Sequence, residues 1–337
     1  MKILVTGATG FLGRKLCERL GQEGGKEIIV LTRDPNHAHE ILSGHEIIYG
    51  DLLYNSFKLN DRDSKRLYGV SEVYHLAADT KFSRTESTIL EHNVHTTQNM
   101  LEFFKDRSLK SFNFVGSAYS CGSVDQIVKE DWLALPNRFR NFYEESKWKA
   151  EELIKEYNRD FNIPFRIFRP SIILSGKDGE IPPNQTIYSY VNIIYNAINN
   201  YSPATKLKIK GDPNGSLNLI TRDQVVDLIL GLNNEPPNRI YNLTNEENIS
   251  LRTIAEIVSG VCNLEEGLEF IPYLRYEDLS IVEKFIYKNT KSFWPYLCST
   301  NLEWEIKNSH KVRLDKSIKS TDQDYLKESL SNLLNNK

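Results

Sequence analysis

Cysteine is scarce in this chain. Its four thiols, Cys17, Cys121, Cys262 and Cys298, lie far apart in 337 residues. None stands in the CxxC spacing of a zinc or redox site, and four are too few to staple a secreted scaffold, so a reducing, cytoplasmic setting is expected. A surplus of one charge is missing as well. Forty-two basic against 45 acidic residues leave a formal net charge of -3, and without a broad basic field nucleic acid is not an expected partner. No apolar run reaches the roughly 18 residues of a membrane span. Because Lys2–Thr6 reads as a structural strand, no room is left there for a signal peptide. The seven histidines, among them His37, His39 and His45, never fall into the HExxH pattern, so no metal is expected and surface positions suit them. Solenoid repeats and low-complexity linkers are absent too. What remains, with 40% hydrophobic residues, is an ordinary globular chain forming one large domain, or a domain with a dependent lobe.

The first informative stretch is MKILVTGATGFLGRKL. KILVT is a short run of β-formers, and Leu12, Leu16 and Leu20 recur at four-residue spacing on one helical face, so the order is strand, glycine turn, helix. Gly7, Gly10 and Gly13 give GxxGxxG, a departure from the commoner GxGxxG. Such glycines allow a tight turn, close approach of a pyrophosphate and helix–strand packing, while the free amides of the helix start attract phosphate. The same alternation then repeats. Strands are expected over 27–33, 46–52, 72–78, 111–117 and 165–170, and helices over 85–106 and 143–159. This pattern implies an α/β fold, a Rossmann-type doubly wound parallel sheet with the nucleotide at the carboxyl ends of its strands.

An NAD site of this type carries an acid about 20 residues beyond the glycines, whereas an NADP site places arginine near the 2′-phosphate. Arg33 stands where the acid would be, and Arg14 follows the last glycine, so NADPH is favoured over NAD. The alternative leaves both arginines solvated and gives the ribose to Asp34. Asp51 would suit the adenine amino group or merely end a strand.

Chemistry enters with NFYEESKWKAEELI. Tyr143 and Lys147 are four apart on an expected helix and project from one face. A lysine cation beside a phenol stabilises the phenolate, which turns tyrosine into a usable proton donor for a carbonyl oxygen. Ser117, in FVGSAYSCG, stands at the end of an expected strand and could hydrogen-bond the same oxygen.

The phrases TGATGFLGRKL, HLAADTKF, NVHTT, FVGSAYSCG, YEESK and FRPSI, in that order over roughly the first 175 residues, resemble an extended short-chain dehydrogenase/reductase. The resemblance implies Ser117, Tyr143 and Lys147 as the catalytic set, with Asn93 holding a water for proton relay. It implies a cofactor set of Thr6, Gly7, Thr9, Gly10, Phe11, Leu12, Gly13, Arg14, Arg33, Asp51 and Leu52. His75, Ala77 and Ala78 would lie against the cofactor, Lys147 would bind nicotinamide ribose, and Pro170 and Ser171 would line the nicotinamide pocket. One departure is Thr96, where the family often has glycine. RPSIILSG, YEESKWKAEELI and LNLITRDQVVDLILGL are further similar to the branch of thioester reductase domains and fatty acyl-CoA reductases, which implies NADPH-dependent reduction of an acyl thioester. Coenzyme A or an acyl carrier protein would then be supplied from outside. A homodimer is implied only by the superfamily.

The expected division is a cofactor domain over 1–172 and 217–245 and a substrate lobe over 173–216 and 246–337. Tyr188, Tyr190, Val191, Ile193, Ile194, Tyr195 and Ile198 offer either an apolar substrate surface or lobe core. Leu326, Leu330, Leu333 and Leu334 suit a packed amphipathic helix, with interfacial membrane contact as the alternative. Glu144, Glu145, Glu151 and Glu152 read as a solvated helix face. Three functions compete: an NADPH-dependent reductase of thioester, aldehyde or ketone; an NAD-retaining nucleotide-sugar epimerase or dehydratase; and a non-catalytic cofactor sensor. The intact Ser117, Tyr143 and Lys147 set argues against the last.

Overall fold

The computed structural model describes the chain except for residues 83, 182–185, 202–205, 299–300, 316–320 and 336–337. Short aliphatic and aromatic runs become β1 (Lys2–Thr6), β2 (Glu27–Thr32), β3 (Glu46–Tyr49), β4 (Val70–His75), β5 (Ser111–Val115) and β6 (Phe165–Pro170). These are followed by β7 (Ile172–Leu174), β8 (Leu207–Lys210), β9 (Ser216–Leu217), β10 (Leu219–Thr221), β11 (Arg239–Leu243), β12 (Ile249–Ser250) and β13 (Leu268–Ile271). The first half holds helices α1 (Phe11–Gln22), α2 (Pro35–Ile41), α3 (Asp61–Arg66), α4 (Glu86–Leu90), α5 (Thr96–Phe104) and α6 (Phe142–Phe161). The second holds α7 (Thr186–Tyr201), α8 (Arg222–Leu232), α9 (Leu251–Val261), α10 (Ile281–Asn289), α11 (Trp294–Leu297), α12 (His310–Asp315) and α13 (Gln323–Asn335).

Among the described residues the main sheet has seven parallel strands in the order β3-β2-β1-β4-β5-β6-β11. The order reverses between β1 and β4, and a crevice opens at the carboxyl ends of strands at such a switch point. Helices cover both faces, so the strands need apolar residues on both sides. Leu16, Cys17 and Leu20 of α1 pack with Val225 and Ile229 of α8 on one face, and Met100, Phe104, Ala150 and Ile154 of α5 and α6 cover the other. The helix expected over 85–106 is interrupted: a π-helical turn over Glu91–His95 separates α4 from α5. Such turns re-aim side chains within a helix and often mark functional positions. Asn93 lies inside it.

Between β6 and β11 the chain leaves the sheet, and this excursion supplies part of a second core with α9, β13, α10 and α13. The α7 surface is mostly that core. Tyr188, Tyr190, Val191 and Ile194 are buried, with Ile193, Tyr195 and Ile198 only partly so, which removes most of α7 as a substrate surface. The leucine stripe of α13 is covered in the same way: Leu326 and Leu330 are fully buried in the cluster that contains α7 and α9, and this rules out an apolar face presented to a membrane. Leu330→Ala therefore opens a cavity and is expected to cost about 2–5 kcal/mol of stability. Chemical denaturation checks this; an unchanged midpoint would mean that α13 is not part of the folded core. Among the described residues no helix is long and apolar enough to cross a membrane.

Candidate active site

The turn after β1 is built from backbone, and its glycines are required by space. Gly7 adopts φ +70°, and a Cβ there would lie 2.6 Å from the Ala77 amide nitrogen at the end of β4. A Cβ on Gly13 would collide with the Gly7 carbonyl, so the helix can pack this closely only without one. Helix α1 begins at Gly10 with no side chain capping its first amides. Those free N–H groups and the helix dipole face the switch-point crevice, which fits a pyrophosphate. Thr6, Phe11 and Gly13 are buried at this turn, Thr9 and Leu12 partly buried, and Gly10 exposed. Ala77 and Ala78 are half-buried across from it. At the far end of the crevice Pro170 and Ser171 are buried, and the Ser171 hydroxyl has no hydrogen-bond partner among the described residues. An orphaned buried hydroxyl of this kind is what a bound polar group would satisfy.

The adenine end separates the candidate cations. Arg33 is exposed in the loop after β2 and makes no hydrogen bond or ion pair with the described residues. Asp34 is already in use: its side chain accepts from the His37 amide at 3.1 Å and caps α2. Arg14, by contrast, is committed, pairing with Glu180 in the segment after β7. Buried Arg222 lies 4.6 Å from the Phe11 ring centroid and also pairs with Glu180 and with Asp178. Asp51 accepts from the Leu53 amide at 3.1 Å, and the Leu52 carbonyl accepts from Asn99 Nδ2 at 2.8 Å, so both shape the loop after β3.

Tyr143 stands in the first turn of α6, which Asn141 caps by accepting from the Glu144 amide at 3.0 Å. Its hydroxyl hydrogen-bonds the Ser117 side chain, which joins the end of β5 to α6. Lys147, one turn on, is buried and donates from Nζ to the Val115 carbonyl at 2.8 Å. That nitrogen lies 5.9 Å from the centroid of the Tyr143 ring. Burial, then the Glu144 carboxylate, pushes the Tyr143 hydroxyl above the ordinary phenol range, and the Ser117 hydrogen bond offsets this in part. Burial lowers Lys147 to about 8, against the opposing pull of Glu151. The lysine is thus poised close to neutrality.

Asn93 is wedged between two elements. Its Oδ1 accepts from the Asp79 amide at 2.7 Å, and its Nδ2 donates to the Asp79 carbonyl and to Ser146 Oγ. These bonds tie the loop after β4 to α6. Its own carbonyl accepts from Thr97 Oγ1 at 2.7 Å. Since Thr97 gives its proton there, His75 Nε2 must donate to Thr97 Oγ1 at 3.2 Å, and Nδ1 then accepts from Thr6 Oγ1 at 2.8 Å. His75 is a buried histidine held neutral, its pKa lowered to about 3 by burial and then by Lys147. It therefore links β1 to Thr97 of α5, which in turn bonds the Asn93 carbonyl of the π-helical turn.

Two expected surface acids are buried. Glu151 lies two turns after Tyr143 on the same face, forms a two-pronged ion pair with Arg169 and accepts from Ser120 Oγ. Glu144 pairs with Arg140 and hydrogen-bonds Tyr296. The spacing 143, 147, 151 continues the inward face of the helix, and this signal identifies Glu151 as an interior residue. Glu145 and Glu152 stay partly exposed and pair with Lys149 and Lys155.

A backbone phosphate cradle at a switch point, with a serine, a tyrosine and a lysine converging beside it, defines a dinucleotide-dependent oxidoreductase-type enzyme of the extended short-chain dehydrogenase/reductase class. Residues 3–244 match the model of the NAD dependent epimerase/dehydratase family, and the chain belongs to that family. A polyketide synthase-nonribosomal peptide synthetase of Aspergillus clavatus is 26% identical over 184 residues, 51% of this chain and 4% of that protein. GDP-mannose 3,5-epimerase 1 of Oryza sativa subsp. japonica is 26% identical over 287 residues, 81% of this chain and 71% of that protein. The chain thus spans only a small fraction of the synthetases it matches. Among solved structures, the terminal R domain of the myxalamid PKS-NRPS pathway has a TM-score of 0.81 at 20% identity, covering 99% of this chain and 91% of that one. UDP-glucuronic acid 4-epimerase from Bacillus cereus, with UDP-glucuronic acid and NAD, has a TM-score of 0.72 at 20% identity over the whole of both chains.

Proposed function

We propose that the protein is an NADPH-dependent reductase of a carbonyl compound or acyl thioester, the latter carried on coenzyme A or a carrier protein. The observation that carries this reading is at the end of β2: Arg33 is exposed and uncommitted where the acid would stand, while the next residue, Asp34, has its Oδ1 engaged as the cap of α2. A site that prefers the 2′-phosphate belongs with net reduction rather than with a retained NAD. The likeness to synthetases and to an R domain supports the same reading. Ser117 would orient the substrate oxygen, and Tyr143 would give it a proton as the carbon is reduced. The Lys147 cation, one turn away, would stabilise the phenolate left behind. Bound in the cradle, NADPH supplies the hydride.

Arg33→Asp tests the carrying observation. Losing a charge-assisted contact of about 1.5–3 kcal/mol should weaken NADPH roughly 10- to 100-fold and leave NADH nearly unchanged. Equal losses for both, measured by fluorescence titration, would refute the assignment.

The pH dependence follows from Lys147. A lysine whose pKa is lowered to about 8 is cationic below that value and neutral above it. Phenolate stabilisation is then lost as pH rises, and kcat/KM should fall through about pH 8. Lys147→Arg keeps its charge and should move that limb to higher pH even if its plateau is lower. A limb that stays in place would remove Lys147 from the chemistry.

The second reading is an NAD-retaining nucleotide-sugar epimerase or dehydratase. It is favoured by the epimerase match, which spans 81% of the chain where the Aspergillus clavatus synthetase match spans 51%. NAD that stays bound through purification would support it.

A further inference from the structure

One carboxylate is divided between two arginines beside the candidate phosphate cradle. After β7 the chain turns over residues 176–179, where the Gly179 amide donates to the Gly176 carbonyl at 3.0 Å, and Glu180 follows. The turn is pressed onto α8: the Lys177 amide donates to Asp223 Oδ2 at 2.6 Å, and a Cβ on Gly176 would lie 2.7 Å from that oxygen. Asp178 pairs with buried Arg222, and Lys15 Nζ of α1 lies 4.0 Å from both Asp178 and Asp223. Glu180 then reaches Arg14 with Oε1 and Arg222 with Oε2. Arg14 stands one turn beyond Gly10, its amide donating to the Gly10 carbonyl at 3.0 Å, and Arg222 lies over the Phe11 ring. Both guanidinium groups thus flank the first turn of α1.

The pairing is incomplete. An arginine grips an oxyanion best through two parallel N–H donors. Here the Nε atoms of Arg14 and Arg222 are both buried and have no hydrogen-bond partner among the described residues. A further anionic oxygen is what such orphaned donors would take. The Glu180 carboxylate has already spent one oxygen on each arginine, whereas a phosphate group brings additional ones. Nor is the Arg14 pair sealed. Its side chain is 34% exposed and that of Glu180 33%, and a cleft of about 260 Å³ lined by both, with Lys15, His45 and Asp178, opens beside them. Solvent screens a pair this exposed, so a charged competitor displaces it at little cost.

We propose that Glu180 is a resident counter-ion that a phosphate of the dinucleotide displaces from Arg14, and that this exchange lowers cofactor affinity. The exchange deepens the reductase reading and rests on its dinucleotide site, which the epimerase reading shares. Glu180 acts through Arg14, so it is a positioning residue. NADPH and NADH are titrated by fluorescence into the full chain at low salt. Glu180→Gln keeps an oxygen for Arg222 while removing the competing charge, and it should tighten NADPH by about three- to fivefold. In an Arg14→Gln background the same change should alter affinity by less than about 1.5-fold, since no cation is left to release. A gain confined to NADPH supports exchange with the 2′-phosphate, and a gain shared by NADH supports exchange with the pyrophosphate. A carboxylate that merely held the turn would, once neutralised, weaken both cofactors with or without Arg14. Unchanged or weaker NADPH binding by Glu180→Gln, or a gain that survives the loss of Arg14, would overturn the exchange. Should Glu180→Gln fail to fold, Arg14→Gln alone decides: it should weaken NADPH by at least about threefold, and unchanged affinity would overturn the proposal. Tighter binding by Glu180→Gln in a protein that oxidises no NADPH with any carbonyl would instead count against the reductase reading alone.

Discussion

Tyr143→Phe is expected to lower kcat by about 10²–10⁴ while leaving NADPH affinity within about twofold of the parent. The substitution removes one oxygen and keeps the ring, so the contact with Phe82 at 5.9 Å survives. The lost group is the hydroxyl that meets Ser117, and in the proposed mechanism it alone gives a proton to the carbonyl oxygen. Ser117 cannot substitute for it, because a serine hydroxyl has no lysine one helical turn away to stabilise its conjugate base. In the proposed arrangement the cofactor is held by the turn after β1 and the loop after β2, which the substitution does not touch. Steady-state kinetics with a separate binding titration distinguish the two effects. A Tyr143→Phe enzyme retaining more than about a tenth of parental kcat would require another acid.

Gly7→Ala is expected to be nearly as severe, for a different reason. The position combines φ +70° with a virtual Cβ 2.6 Å from the Ala77 nitrogen and 2.7 Å from the Leu76 carbonyl carbon. Both neighbours are backbone at the end of a central strand, so neither can swing aside. The turn must deform, and with it the amides at the start of α1. NADPH affinity should fall by at least about a hundredfold. Thermal unfolding without nucleotide should show a smaller loss, of the order of 1–3 kcal/mol, for a strained backbone position. Affinity within about threefold of the parent would show that the turn does not hold the pyrophosphate.

Much of this arrangement is legible in the sequence because it is local. A strand, a glycine turn and a leucine-spaced helix adjoin one another within residues 2–22, and Tyr143 and Lys147 share a face through helical periodicity alone. The runs at 27–32 and 165–170 are strands almost at their expected bounds. Ends are less legible: the strand expected over 46–52 stops at Tyr49, because after Gly50, whose amide still donates to the Thr32 carbonyl, the Asp51 amide turns to the Phe57 carbonyl. The interruption at 91–95 carries no proline or glycine, since it arises from bonds between Asn93, Asp79 and Ser146 that distant segments supply.

Side chains that act across the fold were the least visible. Tyr296 lies more than 150 positions from Tyr143, and the bulky apolar run over 285–296 that contains it does not show that it packs on Phe82. Phe82 sits inside HLAADTKF, but nothing in that phrase indicates its stacking partner. Burial of Glu144 and Glu151 depends on Arg140 and Arg169, and charge counting along the helix reads both acids as solvated. Arg14 looked equivalent to Arg33 in sequence; only the segment carrying Glu180 separates them.

The central claim is net reduction with NADPH, and turnover tests it most directly. Nicotinamide absorbance is followed with NADPH and, separately, NADH against acyl-CoA thioesters, long-chain aldehydes and bulky ketones. The account predicts consumption of NADPH with at least one substrate of the panel, with NADPH preferred by about tenfold or more. Absence of NADPH oxidation across the panel, together with NAD that remains bound to the purified protein, would contradict it and favour the nucleotide-sugar reading.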